Sequence, residues 1–322
     1  MGVNAEIEYP VIEFRSSDLK RGTDGWNCLC KRVREACETF GSFEVVYEKI
    51  STEVREEVFR LIKELVEVPV ERKQKNVSPV PFHGWVGSSP QISLLYEGFG
   101  VGDASNYDSI KSFAQLMWPD GYPHFCDIVY TLATQMEELN KLIWLMIIDS
   151  YGLGEELLKM SYKTLIRMVK YMAPPSGKFE SGLFPHTDKP ISTLICEDKI
   201  SGLEIEVKDD KWLRLSNLSP SSFVFMVGDP FKAWSNGRLK SGMHRVMMGG
   251  DKDRYSIAAF AVPNKGTIIK TPKELIDDQH PQLYKDFDFM EYFFFTASDL
   301  AKRFNSNQQI DAFAALSPPI SN

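Results

Sequence analysis

The chain has 322 residues, 43% of them hydrophobic, and sets 37 Lys and Arg against 44 Asp and Glu for a formal net charge of −7. That length buries a sizeable core, in one β-rich domain or two ordinary ones. The acidic balance, with its basic residues scattered, excludes a nucleic-acid binder built on a basic stripe, and the longest strongly apolar run, Leu142 to Ile148, is far too short to span a bilayer.

In chain order, "MGVNAEIEYPVIEF" has no basic stretch followed by an apolar one, so no secretory leader is read there and a cytoplasmic location is expected. Five cysteines, Cys28, Cys30, Cys37, Cys126 and Cys196, make an odd count that predicts reduced thiols. Trp26, Leu29, Val33, Cys37 and Phe40 step by three or four, and Gly41 stands where a helix-ending glycine belongs. "FEVV" reads as a short strand. Val54, Val58, Leu61 and Leu65 mark a second helix, ended by Pro69. Residues 76–106, rich in Gly, Ser and Pro, predict a long loop of the kind that forms lids, with His83 inside it. A long helix is predicted from Pro123 to Ser150, stopped by "YGLG".

From about residue 163 to 271 the rhythm changes. Short β-rich runs such as "TLIRMVKYM", "ISTLIC", "SFVFMV" and "RYSIAAFAV" alternate with Gly, Pro, Asn and Asp, the pattern of a sandwich or barrel. A last helical stretch is expected from Phe289 to Phe304. Repeats and low-complexity linkers are absent from the sequence. Three regions are therefore expected in one compact unit: 1–160 helical and extended, 161–271 the β core, and 272–322 a C-terminal helix and tail.

The chemistry concentrates in the β region. In "FPHTDKP", His186 and Asp188 are two apart on extended chain and point the same way. Of the five histidines, only His244 also sits within a β-rich run, "SGMHRVMM". Two histidines and one carboxylate on one face of a metal leave three positions open, which suits non-haem Fe(II). Zinc would also accept that donor set. The segment "HRVMMGGDKDRYS" is expected to fold as a hairpin about Gly249-Gly250, setting Arg254 across from about Arg245 and next to His244. Arg254 and Ser256, again two apart, form a carboxylate receptor that zinc alone would leave unexplained. Ala258 and Phe260 share their face, so Phe260 is expected to line an apolar pocket for a hydrophobic small molecule.

On these residues the chain resembles the plant 2-oxoglutarate/Fe(II)-dependent dioxygenases, whose signature is H-x-D, a distant H, then R-x-S. Here that reads His186-Thr187-Asp188, His244 and Arg254-Tyr255-Ser256, with Arg254 ten positions after His244. The flanks "YPVIEF", "WSNGRLKSGMHRV" and "ELIDDQHPQLYKDFDFMEY" are similar to family segments, and "NVSPVPFHGW" and "LMWPDG" to its AOP branch, which acts on plant specialised metabolites. The resemblance implies a mainly β fold with flanking helices: a double-stranded β-helix core, jelly-roll and cupin-like, with an N-terminal helical segment and a C-terminal helix. It implies Fe(II) on the catalytic ligands His186, Asp188 and His244, 2-oxoglutarate as co-substrate on Arg254 and Ser256, O₂, and ascorbate as reductant. The reaction implied is hydroxylation, or demethylation, desaturation or ring closure by the same oxidant. A family Asn-Tyr-Tyr-Pro segment appears here as Lys170-Tyr171-Met172-Ala173. Tyr171 is read as a co-substrate contact, while Met172 replaces the tyrosine that hydrogen-bonds 2-oxoglutarate in many relatives. Met172, Phe184 and His83 join Phe260 as candidate substrate contacts. No obligate protein partner is expected. Two alternatives stand beside this reading: a same-fold oxidase that makes no succinate, and a catalytically silent small-molecule binding protein.

Overall fold

The structure, a computed structural model, describes residues 8–154, 160–175, 177–208, 210–216 and 218–317. The first seven residues, part of the stretch in which no leader is read, lie outside them. After β1 (Val11–Glu13) comes α1 (Asp24–Thr39), begun by Thr23, whose hydroxyl accepts the Trp26 N–H. This helix buries Trp26, Leu29, Val33 and Cys37 on one face. Gly41 follows with φ +71°, and a Cβ there would stand 2.4 Å from the Lys240 carbonyl. Both the backbone sign and the close approach require glycine.

Then come β2 (Ser42–Val46), α2 (Thr52–Val66), α3 (Val70–Lys73), β3 (Tyr96–Val101), α4 (Tyr107–Met117) and α5 (Pro123–Ser150). The expected long loop at 76–106 is thus cut short by β3. "YEGFGV" hides its alternation because Gly98 and Gly100 occupy the inward positions. A Cβ on Gly98 would stand 2.5 Å from Arg167 Nη2, and one on Gly100 would stand 2.5 Å from the His83 carbonyl oxygen.

The β region supplies β4 (Tyr162–Tyr171), β5 (Glu180–His186), β6 (Ser192–Glu197), β7 (Leu203–Lys208), β8 (Lys211–Arg214), β9 (Ser222–Val227), a short α6 (Asp229–Trp234), β10 (His244–Met248) and β11 (Arg254–Pro263). With β1, β2 and β3, these strands form a seven-stranded sheet, β1-β2-β9-β6-β11-β4-β3, facing a four-stranded sheet, β5-β10-β7-β8. This is a jelly roll, with the N-terminal helices on the outside of the larger sheet. The expected hairpin about Gly249-Gly250 does not form. β10 pairs with β5 and β7, whereas β11 pairs with β4 and β6, so this connection crosses from one sheet to the other.

The chain closes with β12 (Ile268–Ile269), β13 (Phe287–Asp288), α7 (Phe289–Thr296) and α8 (Gln309–Ala314). α7 ends at Thr296, short of the expected Phe304. Within its "YFFF" run, Tyr292 and Phe293 are buried and Phe294 is half exposed.

Two faces of β11 do different work. Ile257, Ala259 and Ala261 pack into the main core with α5 residues such as Ile143 and Ile147. Arg254, Ser256, Ala258 and Phe260 lie level with Tyr171, Val169, Arg167 and Leu165 of β4. Val169 and Tyr171 pack against Val246 and Met248 of the smaller sheet, so this face looks into the jelly roll. Across β3 and β6, each level continues. The Ser256 level holds Gly98 and Glu197, the Ala258 level holds Gly100 and Ile195, and the Phe260 level holds Thr193.

Candidate active site

His186 and His244 are direct cross-strand partners on β5 and β10. Their ring centroids are 4.2 Å apart. Asp188 follows just past the end of β5, and its Oδ1 lies 3.8 Å from Nε2 of both histidines. These three donor atoms are the one group among the described residues that could hold a metal ion by mutual distance. The donor chemistry fits. The His186 Nδ1 is 2.9 Å from the Phe184 carbonyl and the His244 Nδ1 is 3.0 Å from the Gly242 carbonyl. A carbonyl only accepts, so each Nδ1 carries the proton and each Nε2 presents a lone pair. Burial, reinforced by His244 and opposed by Asp188, pushes the His186 pKa down to about 4, which keeps the ring neutral at pH 7. The Asp188 Oδ2 accepts a 2.6 Å bond from the Thr193 hydroxyl, leaving Oδ1 toward the histidines.

The H-x-D loop is pinned from outside the barrel. The Asp229 N–H donates to the Asp188 carbonyl at 2.9 Å. The buried Asp229 Oδ2 accepts from Lys189 Nζ at 2.8 Å, Thr187 Oγ1 at 3.1 Å and the Tyr292 hydroxyl at 2.5 Å. Ser306, near the C-terminus, accepts the Thr187 N–H at 3.0 Å and a Lys189 bond at 2.9 Å.

Arg254 starts β11 on the inner face and is 1% exposed. Its Nε and Nη2 both donate to Oε2 of Glu197, at 3.0 and 2.6 Å. Burial raises the Glu197 pKa against the pull of Arg254. Among the described residues the buried Arg254 Nη1 has no hydrogen-bond partner at bonding distance, while the Tyr171 ring lies 5.0 Å from the guanidinium carbon. Ser256 is one level along the same face, beside Glu197. A guanidinium with one unfilled buried donor, a hydroxyl and a phenol on one wall can take a carboxylate.

The remaining sequence candidates are spread around this core. Phe260 sits on the inner face level with Thr193. Phe184 is 43% exposed, edge-on to the His186 ring at 5.8 Å. Met172 is half-buried at the end of β4, its N–H on the Leu95 carbonyl. The ring of His83 meets Phe293 edge-on at 6.0 Å, and burial lowers its pKa. His124 and His280 are exposed and bound to Glu57 and Asp277, apart from the site. All five cysteines are free. Sequence reasoning missed Thr193, Glu197 and Asp229. For Thr193 and Glu197 the available signal was a polar residue at each end of the largely buried run "TLICE".

No described helix is long and apolar enough to cross a membrane. A family model described as the 2OG-Fe(II) oxygenase superfamily matches residues 162–263, and one described as the non-haem dioxygenase in morphine synthesis N-terminal matches residues 9–121. The chain is 36% identical to the probable 2-oxoglutarate-dependent dioxygenase AOP1 of Arabidopsis thaliana, over 97% of each chain. It is 28% identical to the solved dioxygenase for auxin oxidation from rice, with a TM-score of 0.81, over 96% of this chain and all of that one. The Arabidopsis thaliana dioxygenase for auxin oxidation 1, solved with 2-oxoglutarate, gives a TM-score of 0.77 at 26% identity, over 85% of this chain and all of that one.

Proposed function

The chain belongs to the 2-oxoglutarate/Fe(II)-dependent dioxygenases, and from that premise we propose that it oxidises a hydrophobic small molecule of specialised metabolism. His186, Asp188 and His244 hold Fe(II), and Arg254, Ser256 and Tyr171 receive the far carboxylate of 2-oxoglutarate. When bound, iron supplies O₂ activation coupled to oxidative decarboxylation of the co-substrate to succinate and CO₂. The protein's own groups provide placement. The Phe184 and Gly242 carbonyls hold both imidazoles in the ligating tautomer. Thr193 orients Asp188. Val169, Val246 and Met248 keep the interior between the sheets apolar, which excludes water from the reacting centre. Phe260, Phe184, Met172 and His83 are proposed to contact the organic substrate. The outcome is a hydroxylated product, or one of demethylation, desaturation or ring closure, with ascorbate keeping the iron reduced.

The observation that carries this reading is the buried Arg254 Nη1, without a hydrogen-bond partner among the described residues, on the same inner face that leads to the three converging metal donors. The test is incubation with Fe(II), 2-oxoglutarate and metabolite extract, followed by mass spectrometry. Succinate and a substrate-derived product carrying one more oxygen are expected. Oxidation without succinate would mean a same-fold oxidase of another kind, and tight retention of a metabolite without turnover would mean a binding protein.

A further inference from the structure

The inner wall carries a second buried guanidinium that neither the metal centre nor the Arg254 receptor uses. Arg167 is 4% exposed. Its Nη1 donates to the Phe82 carbonyl and, at 3.3 Å, to the Gly84 carbonyl, while its Nη2 donates to the Tyr96 hydroxyl at 2.7 Å. All three partners are neutral. Among the described residues no Asp or Glu pairs with it. The carboxylate of Glu97, next along β3 from Tyr96, is held by Lys73 and Trp85. A buried cation without a counter-ion is costly, and three neutral acceptors and the rings of Phe82 and Tyr96 are what the described residues give this one.

Arg167 stands away from the Arg254 receptor and toward the metal donors. Arg167 lies on the Ala258 level, between the Ser256 level and the Phe260–Thr193 level that reaches Asp188. Ala258 and Gly100, its neighbours on either side, add almost no bulk there. Phe82 covers the guanidinium, with its ring centroid 5.6 Å from the guanidinium carbon. Phe82 is held at φ +61°, a costly conformation for a bulky residue, with its carbonyl on Arg167. Because the Tyr96 hydroxyl accepts from Arg167, its own proton remains to be donated.

We propose that the organic substrate is a carboxylic acid and that Arg167, with the Tyr96 hydroxyl, binds its carboxylate beneath the Phe82–Gly84 segment. The inference rests on the dioxygenase reading and names the substrate class of that site. Arg167 is then a specificity-determining residue as well as the clasp of that segment.

The test uses the full-length protein with redox-silent Mn(II) and saturating 2-oxoglutarate, so that the Arg254 receptor is filled. Matched probes, indole-3-acetic acid against indole-3-acetamide and phenylacetic acid against phenylacetamide, are titrated by calorimetry into wild type, Arg167→Gln and Arg167→Lys. In wild type at least one acid should bind tenfold or more tighter than its amide. Arg167→Gln should erase that preference and Arg167→Lys should keep part of it. A role confined to clasping the segment would weaken acid and amide alike. Amides that match the acids in wild type, failure of every acid to bind, or a preference surviving in Arg167→Gln would each overturn the proposal. The dioxygenase reading fails separately, by absence of succinate when Fe(II), O₂ and metabolite extract are supplied.

Discussion

Arg254 donates twice to a single oxygen of Glu197, so the guanidinium on the inner wall comes with its own counter-charge and keeps one buried donor in hand. Both side chains are almost fully buried. An internal carboxylate therefore stands next to the place where an external one is proposed to bind. It steadies the arginine, and its negative charge opposes the ligand.

Glu197→Gln separates those two effects. The amide keeps the shape and removes the charge. Taking away a nearby negative charge is worth on the order of 1–2 kcal/mol, so 2-oxoglutarate affinity should rise about tenfold. Stability should fall toward the roughly 3–5 kcal/mol of a broken buried pair. Calorimetric titration and urea unfolding read the two separately. An unchanged 2-oxoglutarate Kd would show that Glu197 does not face the bound carboxylate.

Arg254→Lys should raise the KM for 2-oxoglutarate while the KM for the organic substrate stays close to wild type. Lysine retains a charge but cannot serve Glu197 and a ligand together. Charge-assisted bonds of roughly 1.5–3 kcal/mol correspond to about a tenfold to hundredfold increase. If both KM values rise in step, the arginine is holding the barrel together and not selecting the co-substrate.

His186→Ala and His244→Ala should each abolish turnover and the rise in Tm on adding Mn(II) or Zn(II). A ligand present at a hundred times its Kd adds about 2.7 kcal/mol to the folded state. Far-ultraviolet circular dichroism should be unaltered, since neither ring carries the main core. Full activity in either variant would remove that residue from the metal site.

Thr193→Val preserves volume and deletes the donor to Asp188 Oδ2. Loss of such a supporting bond typically costs about 10–100-fold in metal affinity or activity. Competition with a chelator measures it. Wild-type affinity in the variant would mean that the loop contacts from Asp229 orient Asp188 by themselves.

Much of this site was legible in the sequence because its parts are local. His186 and Asp188 are two apart on extended chain, as are Arg254 and Ser256, and short-range periodicity reports both pairs. Facing pairs across strands are another matter. His244 meets His186 through a register between strands 58 positions apart, which the family signature conveys and alternation alone does not. The crossing at Gly249-Gly250 looked like a hairpin because both flanks are strands joined by a glycine pair. What decides between a hairpin and a crossover is which neighbours bury each strand. β9, "SFVFMV", is buried at all six positions, and a strand buried on both faces loses the alternation that would report its inner side. Glu197 and Arg167 are invisible for the same reason, since their partners come from other strands and from the Phe82–Gly84 segment.

The contacts of Ser306 with Thr187 and Lys189 have a consequence for how the protein is made. Synthesis runs from the N-terminus, so His186, Asp188 and His244 all emerge before Ser306, whereas Thr193 and Asp229, which also hold this loop, emerge before His244. A nascent chain can pair β5 with β10 before Ser306 adds its bonds to Thr187 and Lys189. A product cut short before Ser306 would keep all three candidate ligands and the Thr193 and Asp229 contacts, and would lose the bonds of Ser306 to Thr187 and Lys189.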